Sequence, residues 1–259
     1  SAKQHPRGNE WTGEPAHPFL TGLQGVGWRV LGGSSNGLAL FEPVRDQVHG
    51  INVLLQYFDA GGIVRIGPPG RLSLFGASIS GERERAADEA VLVTDSGLVV
   101  DTTSILPGRF KTHDIARVNA LWGARDIRFV RVVGFDALAA TQDIPAGFQL
   151  GALFGRSLSV LGSKDDDVFM SADLYIGAAN EMAALRFQFQ GEGRHSNDDN
   201  IWDGILTWGR LASYLKVVPT QTSILSAEWS AGWRMRVPFA LSLAADPGGL
   251  LGYTNSTTL

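Results

Sequence analysis

Between Leu225 and Val237 every second residue is apolar. Leu225, Ala227, Trp229, Ala231, Trp233, Met235 and Val237 form one row, and Ser226, Glu228, Ser230, Gly232, Arg234 and Arg236 form the other. A strand points successive side chains to opposite sides, so the run predicts one apolar face backed by one polar face. An average globular strand holds about 5–6 residues. This run reaches about 40 Å at roughly 3.3 Å per residue. Tilted by about 40°, it spans roughly 30 Å, the thickness of a bilayer hydrocarbon core.

The same rhythm predicts strands over 168–176, 183–194 and 202–217. The N-terminal half is less regular and suggests strands over 19–31, 50–59, 62–66, 71–80, 91–101, 114–123, 127–135 and 148–161. Gly81 to Ala90, GERERAADEA, is rich in helix formers but short and charged, and reads as a loop with one helical turn. No segment sustains the i, i+3, i+4, i+7 pattern of an amphipathic helix for three turns. About ten to twelve strands follow from this pattern. Short turns such as 177–181 alternate with longer polar loops such as 193–200, the asymmetry of outer-membrane barrels.

The fold expected is therefore all-β: an antiparallel up-and-down transmembrane β-barrel, incomplete in this chain. Residues 1–18 read as a polar N-terminal segment or linker, and residues 19–259 as the barrel, truncated at its C-terminal end. Leu225, Trp229, Trp233 and Met235 are expected to face lipid. Arg186, Glu228, Arg234 and Arg236 are expected to face the lumen, because an arginine at mid-bilayer costs about 2–4 kcal/mol. Pairing with Glu192 and Glu228 across strands is the simplest role for these arginines. Trp202, Tyr214, Trp229, Trp233 and Tyr253 fall near strand ends, where an interfacial girdle would lie. A soluble β-sandwich or barrel, acting as a binding module, alternates in the same way with its apolar side inward.

Composition narrows the classes. The net charge of −4 carries no basic excess, so nucleic acid is not an expected partner. The chain has no cysteine, which removes disulfides and thiolate chemistry. No run of about 18 apolar residues is present to form a membrane-spanning helix. The opening SAKQHPRGNEWTGEPAHP lacks the apolar core of a signal peptide.

Near the C-terminus, Gly248-Gly249 are followed by Leu250-Leu251-Gly252-Tyr253. This segment resembles the BamA/TamA-type surface-antigen family, in which a barrel strand leads into a loop carrying Gly-Gly, a spacer and [Leu/Val]-Arg-Gly-[Tyr/Phe]. Gly248, Gly249, Gly252 and Tyr253 match by type, but position 251 is leucine where the family has arginine. The resemblance covers about twenty residues. It implies a bacterial outer-membrane protein that inserts or translocates client proteins through a lateral seam, with outer-membrane lipids around it. It implies no cofactor and no covalent chemistry, and Leu251 cannot make the contact with acidic groups of the inner wall that the family's arginine implies.

One alternative is enzymatic. Arg194-His195-Ser196-Asn197 resembles the His-x-Ser-Asn pattern of outer-membrane phospholipases and lipid A deacylases. Residues two apart on a strand share a face, so an imidazole there can take a serine proton. His195 and Ser196 are adjacent, and on a strand they point apart. Asp165-Asp166-Asp167 and Asp198-Asp199 read as polar outer turns, without the frame of a calcium loop. The remaining histidines are scattered, and no metal site is expected.

Overall fold

The computed structural model describes residues 2–5, 8–18, 24–41, 48–68, 70–94, 96–104, 106–110, 112–135, 140–218, 221–235, 241–242 and 257–258. The strands are β1 (Ala2–His5), β2 (Gly8–Gly13), β3 (Ala16–His17), β4 (Val26–Phe41), β5 (Val48–Ile66), β6 (Arg71–Thr94) and β7 (Gly97–Asp101). A helical turn, α1 (Leu106–Arg109), precedes β8 (His113–Val133) and β9 (Thr141–Ser157). After a 3-10 turn at Ser159–Leu161 come β10 (Asp167–Ala179), β11 (Ala183–Ser196), β12 (Ile201–Val218) and β13 (Gln221–Trp233). Two short strands, β14 (Leu241–Ser242) and β15 (Thr257–Thr258), pair separately.

The protein is all-β. A single antiparallel sheet runs β1-β2-β4-β5-β6-β8-β9-β10-β11-β12-β13, with β3 beside β4 and β7 beside β6. Apart from these two short strands, sheet order follows chain order, so the topology is up-and-down. The sheet is open: among the described residues, β13 pairs only with β12 and β1 only with β2. No helix among them is long and apolar enough to cross a membrane.

The predicted strands over 168–176, 183–194 and 202–217 are present with their ends extended by a few residues. The N-terminal half needs correction. Segments 50–59 and 62–66 form one strand through Gly61-Gly62, and 114–123 and 127–135 form another. β4 starts at Val26 and runs to Phe41, past the expected end at Leu31. Gly81–Ala90 is strand, not loop, because β6 continues through it, paired with β5 and β8 as far as Glu84, with β5 alone at Arg85 and Ala86 and, after a register shift, with β5 and β7 at Ala90. Ladder pairing, on both edges up to Glu84 and on the β5 edge beyond it, outweighs helix propensity. The expected loop 193–200 is strand to Ser196, with a turn only at residues 197–200.

The sheet is strongly curled. Arg194 on β11 reaches Glu82 on β6 at 3.5 Å, although β8, β9 and β10 lie between them. In a flat sheet, four strand steps would separate them by about 19 Å. Thr222 of β13 donates to the Gly134 carbonyl at 2.9 Å, beyond the end of β8, and Lys216 of β12 donates to the Val133 carbonyl. Here the β8–β9 hairpin end arches over the concave face. Val132, Phe135 and Ile144 pack there on Ala184, Ala212 and Tyr214, forming a small apolar core. Tyr214 therefore belongs to that core, edge-on to Phe135 at 5.8 Å between ring centres, and not to an outer girdle.

Candidate functional site

The two faces of the curled sheet carry opposite chemistry, and the polarity is inverted relative to a globular protein. On the convex side Trp122, Phe154, Met170 and Trp229 are 44%, 48%, 42% and 40% exposed. On the concave side Arg117, Asn119, Ser78 and Asp167 are buried. Scattered exposed apolar residues are ordinary, but a continuous apolar face over a polar interior is not.

The convex apolar rows have defined ends. On β6 the row is Phe75, Ala77, Ile79 and Gly81, and on β8 it is Ala116, Val118, Ala120, Trp122 and Ala124, paired in register. Arg71–Asp126 at 3.9 Å closes one end, and Arg83–Asp114 at 2.9 Å closes the other. The interval matches the roughly 9–11 residues that a tilted strand needs to cross a bilayer core. Aromatic rings on this face lie over glycines of the neighbouring strand. Trp229 covers Gly209 and Phe58 covers Gly81, their register partners, and a Cβ at either glycine would collide with the ring.

The concave face holds a ladder of polar side chains, each delivered by the period-two alternation of its strand. Asn119 of β8 donates to Ser78 and Ser80 of β6, both at 3.0 Å. Ser78 donates to Asp59 of β5 at 3.0 Å, and Asp59 meets Arg29 of β4 at 3.5 Å. Arg117 grips Asp167 of β10 through Nε at 3.0 Å and Nη2 at 2.5 Å, with its guanidinium over the Phe169 ring. Ser157 Oγ accepts from the Asp167 N–H at 2.6 Å and donates to the Asp167 carbonyl at 3.1 Å. Of these, Asp59, Ser80, Arg117, Asn119 and Phe169 line a cavity of about 370 Å³, together with Glu82, Glu192, Arg194 and Met235. A bulge shapes its wall: between Glu192 and Arg194 the partner strand β12 carries one extra residue, at Gly204 with φ of 56°. The bulge keeps Asp203, the partner of Arg194, on the same side as Leu206, the partner of Glu192.

Family models, curated proteins and solved structures yield no match to this chain.

The expected site residues divide clearly. Leu225, Trp229 and Trp233 are exposed on the convex row of β13. Met235 is not with them: β13 ends at Trp233, Arg234 is left-handed at φ of 48°, and Met235 lines the concave cavity beside Arg194. Arg234 is exposed beyond the strand end, so alternation no longer assigns it to the lumen. Arg186 and Glu228 lie on the concave face of the sheet. Arg186 lies over the Tyr214 ring at 5.5 Å, and Glu228 accepts from Trp208 Nε1 at 3.0 Å. Arg194 uses Glu82 across the interior as its salt-bridge partner in place of a cross-strand glutamate. Arg236, Gly248, Gly249, Gly252 and Tyr253 lie outside the described residues.

His195 and Ser196 occupy successive positions of β11. His195 Nδ1 pairs with Asn197 Oδ1 at 3.2 Å, while Ser196 Oγ accepts from the Asp199 N–H at 3.4 Å. The aspartate triplet takes three separate partners: His113 for Asp165 at 3.2 Å, Arg156 for Asp166 at 2.5 Å and Arg117 for Asp167. Asn197 and then Arg156 hold the Asp166 carboxyl below the usual carboxylate range. Among the described residues no group of three His, Cys, Asp or Glu converges on a metal-sized centre.

Glu84 stands just past the Arg83–Asp114 end of the apolar row. Burial, then the adjacent Glu82 carboxylate, push its pKa from 4.5 up to about 7, against the pull of Arg194. Its folded pKa lies above its unfolded one, so its stabilising contribution is complete below pH 4.5 and is lost as pH rises through about 7. Glu84→Gln is expected to remove that loss, so that the variant gains stability over the parent across this interval and keeps the gain above it. Denaturant unfolding at stepped pH measures the difference.

Proposed function

We propose that this chain forms the wall of a transmembrane β-barrel in a bacterial outer membrane. The observation that carries the reading is the inverted polarity: apolar rows of bilayer height on the convex face, with paired charges inside. Exposing such rows to water would be costly, at about 25 cal/mol per Å² of apolar surface, whereas acyl chains accept them. The soluble binding-module alternative requires the reverse arrangement.

The same reading gives the protein outer-membrane lipids as neighbours and protein insertion or translocation as its activity. The client part rests on the Gly248-Gly249 and Gly252-Tyr253 resemblance and on the outer edge of β13, which pairs with no strand among the described residues. A free strand edge is a template for another strand. Its lipid-facing row is that of Leu225, Trp229 and Trp233.

Single-tryptophan variants in vesicles test the wall. With brominated acyl chains, Trp122 or Trp229 as sole indole is expected to be quenched, and Trp208, hydrogen-bonded inside, is not. A chain that is folded and monodisperse in detergent-free buffer, with no indole quenched, overturns the reading. The same vesicles read the client part: a urea-denatured small barrel added to them is expected to fold in faster than into bare lipid, and an unchanged rate removes that activity.

A further inference from the structure

The concave wall is not uniformly polar. Towards its turn end, five inward positions on four neighbouring strands are aliphatic: Ile63 on β5, Leu72 and Leu74 on β6, Leu121 on β8 and Leu153 on β9. They sit side by side, with Leu121 opposite Leu153, and with Gly76 bridging Ile63 and Leu121. At the centre Gly123 and Gly151 face each other in register, where neither adds a side chain to the floor. The result is a cavity of about 620 Å³, larger than the polar one above it. Small-molecule sites commonly fall in the range of roughly 300–1,000 Å³.

Its rim is charged. Arg65 and Arg125 contribute two guanidiniums and Asp173 one carboxylate, which leaves the rim net positive. Arg125 Nε is buried and has no acceptor among the described residues. A buried donor of a charged group left without an acceptor is costly. Two separate departures from a wet wall therefore meet at one place: an aliphatic floor, and a cationic donor without an acceptor.

We propose that this cavity binds a single-chain amphiphile with a carboxylate head, of the fatty-acid class. The chain lies along the leucine floor, and the carboxylate accepts hydrogen bonds from the Arg125 guanidinium, a geometry suited to paired N–H···O contacts. Arg65 adds attraction at the mouth. Asp173 sets the polarity of the site, because it repels a second anion and directs the head towards Arg125. The inference requires only the concave wall and stands whether the convex face meets lipid or water.

Photolabelling tests it. The full chain, folded in neutral detergent, is irradiated with palmitate carrying a mid-chain diazirine, and the adducts are mapped by mass spectrometry. Adducts are expected within residues 63–74, 121–125 and 149–153, and excess palmitate removes them. Arg125→Gln lowers this labelling by about tenfold or more, the loss expected for one charge-assisted hydrogen bond. Photoreactive hexadecanol, with the same chain and no charge, labels these segments correspondingly less. Leu121→Asn, which leaves the arginines intact, lowers labelling in the same segments and keeps the test decisive if the first variant folds poorly. Adducts confined to convex residues such as Val118, Phe154 and Met170 would mean simple partitioning and overturn the proposal. So would undiminished labelling in both variants, or a two-chain phosphatidic acid that displaces the label better than palmitate does.

Discussion

Replacing Asp167 with alanine is expected to lower the stability of the fold by about 3–5 kcal/mol, the usual cost of stranding one partner of a buried ion pair. Asp167 is 1% exposed and Arg117 5%. With the carboxylate gone, the guanidinium stays over Phe169 and has lost both hydrogen bonds to Asp167. The reciprocal variant, Arg117→Ala, strands the carboxylate and also removes the stem that packs on the ring, so its cost should be at least as large. The pair as a unit contributes far less. Arg117→Met combined with Asp167→Leu is expected to lie within about 1–2 kcal/mol of the parent, because the desolvation of two charges offsets most of their attraction. Denaturant unfolding of the three variants in one lipid or detergent measures these differences. Single-variant costs below about 1 kcal/mol, the range of exposed pairs, would mean that water reaches the pair and that the wall is loosely packed around it.

That pair also shows what alternation can and cannot reveal. Arg117 and Asn119 are legible as the polar row opposite Ala116, Val118 and Ala120. Their partners are not. Asp167 sits in a run of three aspartates that reads as a solvated turn, and only the start of β10 at this residue separates it from Asp165 and Asp166. The Arg194–Glu82 contact bridges 112 positions and exists because the sheet curls, a property of twist and shear that no local pattern encodes.

The C-terminal hairpins are legible because each strand keeps one apolar and one polar row along most of its length. β6 is not, because past Gly81 both of its faces leave the apolar interval and become charged, and a two-sided polar strand has no period-two signal. β5 and β8 look broken for a different reason: Gly61-Gly62 and Gly123-Ala124 resemble turns, but their ladders run on without interruption. Met235 is misplaced by a single left-handed residue, Arg234, which ends the strand before the alternation does. The inward leucines of the lower cavity are visible in sequence only as exceptions. Leu121 lies in the polar row of its strand, and its meaning emerges when Leu74 and Leu153 arrive beside it from β6 and β9.

Ala120→Arg is expected to cost about 2–4 kcal/mol in lipid vesicles, the penalty for a cation at mid-bilayer on the outside of a barrel. Ala120 is exposed on the convex face, between Ala77 and Phe154 in register. It is equidistant along β8 from Asp114 and Asp126, whose ion pairs mark the two ends of the apolar row. In a protein whose convex face meets water, the same change at an exposed alanine falls within about 0.5 kcal/mol of neutral. Two controls fix the cause. Ser73→Arg, near the Arg71–Asp126 end of the same face, should cost about 0–1 kcal/mol, because a long cation there reaches the interface. Gln190→Arg, exposed on the concave face beside Asp173 and Trp208, should be close to neutral because its head remains in the wet interior. Reversible unfolding in vesicles gives all three values. A cost that rises from Ser73 to Ala120 and vanishes at Gln190 follows depth in hydrocarbon and separates acyl chains from every aqueous surroundings. Equal, small costs at all three positions would mean that the convex tryptophans face water or another protein, and the membrane assignment would fall with them.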